Sequence, residues 1–252
     1  MTTSLYIITG ASRGMGLAMA QQLLQPGNTL LTLSRQPNPV LDTAATAQGI
    51  PLIQWAMDLA DGNAVAHELG LWLTTLDPRQ FDRAVLINNA GVIPPIAPLS
   101  ATPAVDVAWA LRVGLEAPMQ LSASFLNTTE GWRAKRQILN ISSGLGRRPM
   151  ASQASYCAAK AGLDHFSRCV ALDEAQKPNG AQICSLAPGV IDTDMQAQLR
   201  GTSVEAFPDQ GNFAALKANG QLTSADEAAR RVLAWLDRAD FGQNPVADVR
   251  DA

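Results

Sequence analysis

The sequence predicts an α/β fold, a doubly wound parallel β-sheet covered by helices on both faces. Three observations predict it. Short apolar, β-branched runs alternate with longer segments of helical spacing along the 252 residues. A glycine-rich turn, Gly10-Ala11-Ser12-Arg13-Gly14-Met15-Gly16, follows the first of those runs directly. Hydrophobic residues make up 47% of the chain and charged residues 16%, which is enough apolar material to bury a sheet on both sides.

Taken in order, residues 5–9 read as the first strand and 14–24 as a helix that ends near Pro26-Gly27. Residues 29–33 and 50–57 read as the second and third strands, 61–76 carries helical spacing, and 84–87 is a fourth strand. Residues 105–125 read as one long helix with Leu111, Leu115 and Leu121 on related faces. A fifth strand at 137–141, an alanine-dense helix at 155–176, a sixth strand at 181–186 and a last helix at 225–238 complete the alternation. No repeat or linker interrupts it, so 1–252 reads as a single dinucleotide-binding domain of Rossmann type. The stretch 192–222 sets Gly201, Pro208, Gly211 and Gly220 between short apolar pieces and reads as an irregular substrate loop or lid.

Composition excludes several functions. The net charge is −3 and no basic stripe exists, which argues against a nucleic-acid partner. No apolar run reaches the ~18 residues that a membrane span needs, and no charged segment followed by an apolar core marks a signal peptide. Three cysteines, Cys157, Cys169 and Cys184, are expected to stay reduced, as in a cytoplasmic protein. His67 and His165 have no ligand partner at useful spacing, so no metal is expected.

The glycine turn lies where a parallel sheet binds ligands, beyond the carboxyl end of a strand, and it opens a helix. Bare backbone lets a phosphate approach, and the helix start offers free N–H groups. The turn is therefore read as a pyrophosphate site, with a tight strand-to-helix connection as the alternative. Further on, Tyr156 and Lys160 stand four apart, on one face of a helix. A free phenol titrates near ~10, and a neighbouring ammonium favours its ionised form, so this pair suits proton transfer to a carbonyl oxygen. Ser143, at the end of the fifth strand in Ile141-Ser142-Ser143-Gly144, can hold that oxygen where negative charge grows.

Together these stretches resemble the short-chain dehydrogenase/reductase superfamily. The matching residues are Thr9 to Gly16, then Asn88-Asn89-Ala90-Gly91, then Ser143, Tyr156 and Lys160, then Pro188-Gly189, in the family's order and spanning nearly the whole chain. The resemblance implies an oxidoreductase with Ser143, Tyr156 and Lys160 as catalytic residues, the separation of Ser143 from Tyr156 selecting it over Ser142. It also implies that Lys160 bonds the nicotinamide ribose and passes protons through a water. Cofactor contacts are then expected from Gly10, Ser12, Gly14, Met15 and Gly16 in the turn. Asp58 and Leu59 would meet the adenine, although Asp58 could equally cap the next helix. Asn89, Ala90 and Gly91 would meet the adenosine ribose, and Pro188, Gly189, Val190, Ile191 and Thr193 the carboxamide.

No acidic residue lies between Gly16 and Asp42, where an NAD-preferring site places a carboxylate on the adenosine ribose. The second strand ends instead in Ser34-Arg35, and a guanidinium binds a 2′-phosphate with paired hydrogen bonds. The expected cofactor is NADP(H), with Ser34 and Arg35 at the phosphate and, by the resemblance, Arg13 beside them. One departure stands out. Where most members of the superfamily carry an asparagine in the long helix, this chain has Gly114, which keeps a carbonyl for the relay water but loses the side-chain anchor.

The segment from Ala187 to Gln196 and the ending Val246-Ala247-Asp248-Val249 look like sepiapterin reductases and bacterial benzil reductases within that superfamily. That likeness implies an NADPH-dependent carbonyl reductase acting on an α-dicarbonyl or a pteridine side-chain ketone. The alternatives are a 3-oxoacyl or sugar-alcohol dehydrogenase, or a regulatory protein that senses NADP(H) without chemistry. Leu145, Met150 and Met195 are expected in the substrate pocket, with Asp248 either anchoring the substrate or lying in an exposed tail. The helices at 105–125 and 155–176 are expected to pack across a two-fold axis in a homodimer or homotetramer.

Overall fold

Runs three to seven residues long make seven strands, and these form one parallel sheet in a computed structural model that describes residues 2–251. The strands are β1 (Ser4–Thr9), β2 (Asn28–Ser34), β3 (Leu52–Ala56), β4 (Arg83–Asn88), β5 (Lys135–Ile141), β6 (Gln182–Ala187) and β7 (Val246–Asp248). Their order across the sheet is β3-β2-β1-β4-β5-β6-β7, so the winding reverses between β1 and β4. At that reversal Ile7 sits between Leu31 of β2 and Leu86 of β4. Here the crossovers diverge to opposite faces and leave a crevice above the strand ends.

Because side chains alternate along a strand, each inner strand feeds two cores. Tyr6, Ile8, Val85, Ile87, Leu139 and Ile141 point to one face. The helices α1 (Gly14–Gln22) and α9 (Ala225–Leu236) cover it, with Met19, Ala228, Ala229 and Val232 buried against the strands. Leu5, Ile7, Ala84, Leu86 and Ile138 point the other way, onto α3 (Gly62–Thr74) and α5 (Ala117–Thr128), which bring Leu69, Leu73, Leu121 and Phe125. The helix α6 (Ala154–Glu174) lies on this second face and adds Phe166, Val170 and Ala171 at its margin.

Four features depart from the sequence reading. The helix α2 (Pro39–Gln48) was not expected; Asn38 caps it by accepting from the Val40 and Leu41 N–H groups, and Gly49 closes it in the left-handed conformation at φ 66°. The three-residue β7 was also not expected. The long helix at 105–125 is interrupted: α4 (Ala104–Leu111) passes through a wide π-turn at Arg112–Glu116 before α5 begins. Finally, 192–222 is not irregular. It holds α7 (Asp194–Gly201) and α8 (Gln210–Ala218), packed through Leu199, Phe207 and Phe213 onto Ile93 and Ile96.

Phe125 is fully buried between α3 and the sheet. Truncation to alanine leaves a cavity there, and we expect Phe125→Ala to lower the unfolding free energy by about 3–5 kcal/mol, read as a reduced denaturation midpoint in urea.

Candidate active site

The crevice is built from the switch point upward. The Thr9 hydroxyl accepts the N–H groups of Asn89 and Ala90, both at 3.0 Å. The Asn89 amide returns to the Thr9 carbonyl at 2.9 Å and the Gly10 carbonyl at 3.1 Å. This clasp locks the glycine turn to the end of β4. Gly10 has φ 70°, and a Cβ on it would come within 2.8 Å of the Ala90 Cα; a Cβ on Gly16 would collide with the Gly10 carbonyl oxygen. Gly14, at φ 55°, faces open space instead, its nearest neighbour being the Thr193 methyl at 3.8 Å. Two glycines thus let the backbone fold tightly and the third leaves room above it. The first turn of α1 carries no acidic side chain. These residues fit a dinucleotide pyrophosphate.

One cleft of about 920 Å³ gathers almost every residue that the sequence singled out. Gly10, Ser12, Arg13, Gly14, Met15 and Gly16 form its floor at the turn, with Ser34, Arg35, Asp58 and Leu59 at one end. Asn89, Ala90 and Gly91 line it from β4, and Pro188, Gly189, Val190, Ile191 and Thr193 from beyond β6. Ser143, Leu145, Tyr156, Lys160, Met195 and Asp248 line the other end. Met150 is the exception: it does not reach the cleft but packs against the Ile96–Leu199–Phe207 cluster.

Several of these placements differ in detail from expectation. The Asp58 carboxylate accepts from the Ala60 N–H at 2.9 Å, so it caps the short turn at Leu59–Asp61 while facing the cleft. Arg13 is ion-paired at 2.9 Å with Asp194, at the start of α7, and both side chains are largely exposed. Asp248 is no exposed tail carboxylate. It is buried at the end of β7 and gripped by the Nε and Nη2 of Arg250 at 2.7 and 2.6 Å, a pairing that holds its carboxyl below the usual range.

At the reactive end, Tyr156 and Lys160 project from α6 and are both buried. The Lys160 ammonium lies 5.9 Å from the centre of the Tyr156 ring and donates to the Ile141 carbonyl at 2.7 Å. Burial pushes the Tyr156 phenol above its ordinary value, with the neighbouring Ser143 hydroxyl working the other way. The lowering by Lys160 that the sequence suggested is not found in the chain itself, where desolvation of the phenolate dominates. Burial also lowers Lys160, from 10.5 to about 8, with Asp164 opposing the shift.

The two serines of the strand end divide. The Ser142 hydroxyl donates to Asp164 at 2.5 Å and is buried. Ser143 faces the cleft, its hydroxyl oxygen accepting the Leu145 N–H at 3.2 Å. Both serines line the cleft, but the Ser142 hydroxyl proton is already given to Asp164, which leaves Ser143 as the serine with a hydroxyl to donate to a ligand. Gly114 sits in the π-turn, where a Cβ would press to 3.1 Å on the Ala159 methyl, next to Lys160 in the chain. Glycine lets the two helices meet this closely.

Sequence reasoning missed Trp109, Val113, Ile93, Phe213, Arg147 and Arg148, which also line the cleft. They come from helices and loops whose approach is set by packing, and no local pattern marks them. The segment 192–222 is held by Asp192, paired with Arg200 at 3.5 Å and with Lys217. It is also held by the Ser152 hydroxyl, which donates to the Ala206 carbonyl at 2.6 Å from a left-handed backbone (φ 61°). Among the described residues no cluster of potential metal ligands occurs, and no helix is long and apolar enough to cross a membrane.

Comparison with known proteins fits this geometry. Residues 4–203 match the short chain dehydrogenase family. A benzil reductase ((S)-benzoin forming) of Bacillus cereus is 35% identical over 240 residues, covering 95% of this chain and 96% of that one. The sepiapterin reductase of Rattus norvegicus is 30% identical over 258 residues, covering 97% and 95%. A metagenomic short-chain oxidoreductase solved in complex with NADP is 25% identical, with a TM-score of 0.72 over 98% of this chain and 95% of that chain.

The depressed Lys160 value has a thermodynamic consequence. Below about pH 8 the amine is charged in both folded and unfolded chains; between about 8 and 10.5 only the unfolded chain holds the proton, so stability rises with pH across that window. We expect wild type to gain on Lys160→Met by up to about 1.4 kcal/mol per pH unit there, measured as the difference between their unfolding free energies.

Proposed function

This chain belongs to the short-chain dehydrogenase/reductase family of oxidoreductases, and we propose that it is an NADPH-dependent carbonyl reductase acting on a vicinal dicarbonyl or a similar α-substituted ketone. The observation that carries the reading is the convergence of Ser143, Tyr156 and Lys160 at one end of a cleft whose other end is the glycine turn. The named activities of the benzil and sepiapterin reductase relatives support the substrate class. The apolar wall of Ile93, Trp109, Val113, Leu145, Leu199 and Phe213 suits an aryl or alkyl ketone.

The glycine turn and the N-terminal N–H groups of α1 would hold the pyrophosphate. Ser34 and Arg35 would hold a 2′-phosphate at the end of β2, where no carboxylate repels it. Arg13 would join them by exchanging its exposed partner Asp194, since such a pair is worth little in water. When bound, a reduced nicotinamide supplies hydride to the carbonyl carbon. Tyr156 donates its Oη proton to the carbonyl oxygen, which becomes the hydroxyl of the product alcohol; its raised value keeps it protonated through neutral pH. The Ser143 hydroxyl donates to the same oxygen and fixes its direction. Lys160, as an ammonium, stabilises the phenolate that Tyr156 becomes.

Three outcomes test the reading by the loss of absorbance of reduced cofactor. NADPH is consumed with benzil, diacetyl or sepiapterin, and Tyr156→Phe slows turnover at least 100-fold, in line with the ~10²–10⁴ that general acid catalysis contributes. Consumption at the parental rate by that variant refutes the proposal. NADPH is preferred over NADH in kcat/KM by at least tenfold, and Arg35→Ala removes most of that preference, as expected for a charged hydrogen bond worth about 1.5–3 kcal/mol. Reduction declines as pH rises past about 8, where Lys160 loses its proton.

A further inference from the structure

Asp164 is a buried carboxylate that none of the steps above uses. It lies on α6 one helical turn beyond Lys160, on the same face. Its Oδ1 accepts the Ser142 hydroxyl at 2.5 Å and the Ser185 hydroxyl at 2.7 Å, from the ends of β5 and β6. Its Oδ2 accepts the Arg147 Nε at 3.3 Å. Arg147 in turn donates through Nη2 to the Ala247 carbonyl of β7 at 2.7 Å, beside Asp248. Gly146 closes the arrangement from above: a Cβ there would lie 2.9 Å from Asp164 Oδ2 and 3.0 Å from the Lys160 carbonyl oxygen. The turn Gly144–Gly146 therefore rests directly on the stretch of α6 between the lysine and the aspartate.

Three donors converge on this buried carboxylate. Its charge is offset by two cations, Arg147 above and Lys160 below. We propose that Asp164 is a positioning residue for the reaction, held in place by the Ser142 and Ser185 hydroxyls so that its negative charge keeps the buried Lys160 side chain cationic at the pH where Tyr156 must give up its proton. The inference rests on the reductase reading but is read on a different group.

The charged and titratable neighbours are few. Tyr156 and Asp164 come from α6 itself, and Arg147 comes from the turn after β5. Cys184 of β6 stays neutral, its thiol pushed up to about 12 by burial. The Ile141 carbonyl, Gly91 and Gly114 bring neutral groups. Asp164 is the anion that opposes the desolvation of Lys160. Arg147 works against Lys160 by like charge and by competing for the same carboxylate.

The chain contains four lysines, so the side-chain carbons of ¹³Cε-labelled lysine give a spectrum simple enough to follow Lys160, assigned by its loss in Lys160→Arg. In the protein without added cofactor, Asp164→Asn lowers the Lys160 titration midpoint by at least one pH unit, within the 1–3 that a nearby opposite charge produces. Arg147→Gln moves it upward. In turnover with NADPH and a ketone, Asp164→Asn loses about fivefold or more in kcat at pH 8, keeps its KM for NADPH, and recovers most of the loss at pH 6. A Lys160 midpoint unmoved in Asp164→Asn, or a loss of kcat equal at both pH values, overturns the proposal. If Asp164→Asn does not fold, an unchanged or lowered midpoint in Arg147→Gln overturns it. Wild type that oxidises NADPH with no ketone at any pH removes the reductase reading instead, an outcome that the titration cannot mimic.

Discussion

The structure depends on how two strand ends part and are held apart. Where β1 and β4 diverge, their terminal backbone groups lose the ladder partners they had within the sheet and must be satisfied some other way. Thr9 and Asn89 satisfy them reciprocally, hydroxyl to N–H and amide to carbonyl. The separation becomes a fixed crevice instead of a collapsed one. A second polar pair lies just beneath: the Asn88 amide donates to Asn140 at 2.8 Å, and Asn140 reaches Ser167 of α6 at 2.9 Å. The crevice floor and the helix that carries Tyr156 and Lys160 are thereby parts of one hydrogen-bonded frame.

That frame explains why the reactive groups sit where desolvation matters. Tyr156 and Lys160 are buried, and both are driven toward their neutral forms. A neutral phenol is the competent acid for reduction, so burial helps it. A neutral amine is of little use to a developing phenolate, so burial harms the lysine. The fold sets Asp164 one helical turn away from Lys160, where its charge opposes that desolvation.

Much of this was legible in the sequence, and the gaps have physical causes. The glycine turn, Asn89 to Gly91, Ser143, Tyr156 and Lys160 are local patterns whose chemistry and spacing survive translation into one dimension, and the structure brings them into one cleft. The helix α2 was overlooked although Asn38-Pro39 and Gly49 mark its two ends, because its apolar face is reduced to Leu41 and Ala45. The strand β7 has three residues, too few to show a period. The lid segment was read as irregular because its glycines and proline were weighed without Leu199, Phe207 and Phe213, which bury α7 and α8 only through contacts with the loop after β4. The π-turn leaves no signature beyond Gly114, and the cleft residues Trp109 and Arg147 depend on how distant elements dock.

The unequal fates of the paired serines carry an implication for how such a site can change over time. Adjacent residues with the same hydroxyl look interchangeable, as though one could stand in for a lost neighbour. Here both lie just past the end of β5 and both line the cleft, but Ser142 spends its hydroxyl proton on a buried carboxylate while Ser143 does not. The doublet offers no redundancy: a lineage that mutated Ser143 could recover only by restoring it, not by recruiting Ser142.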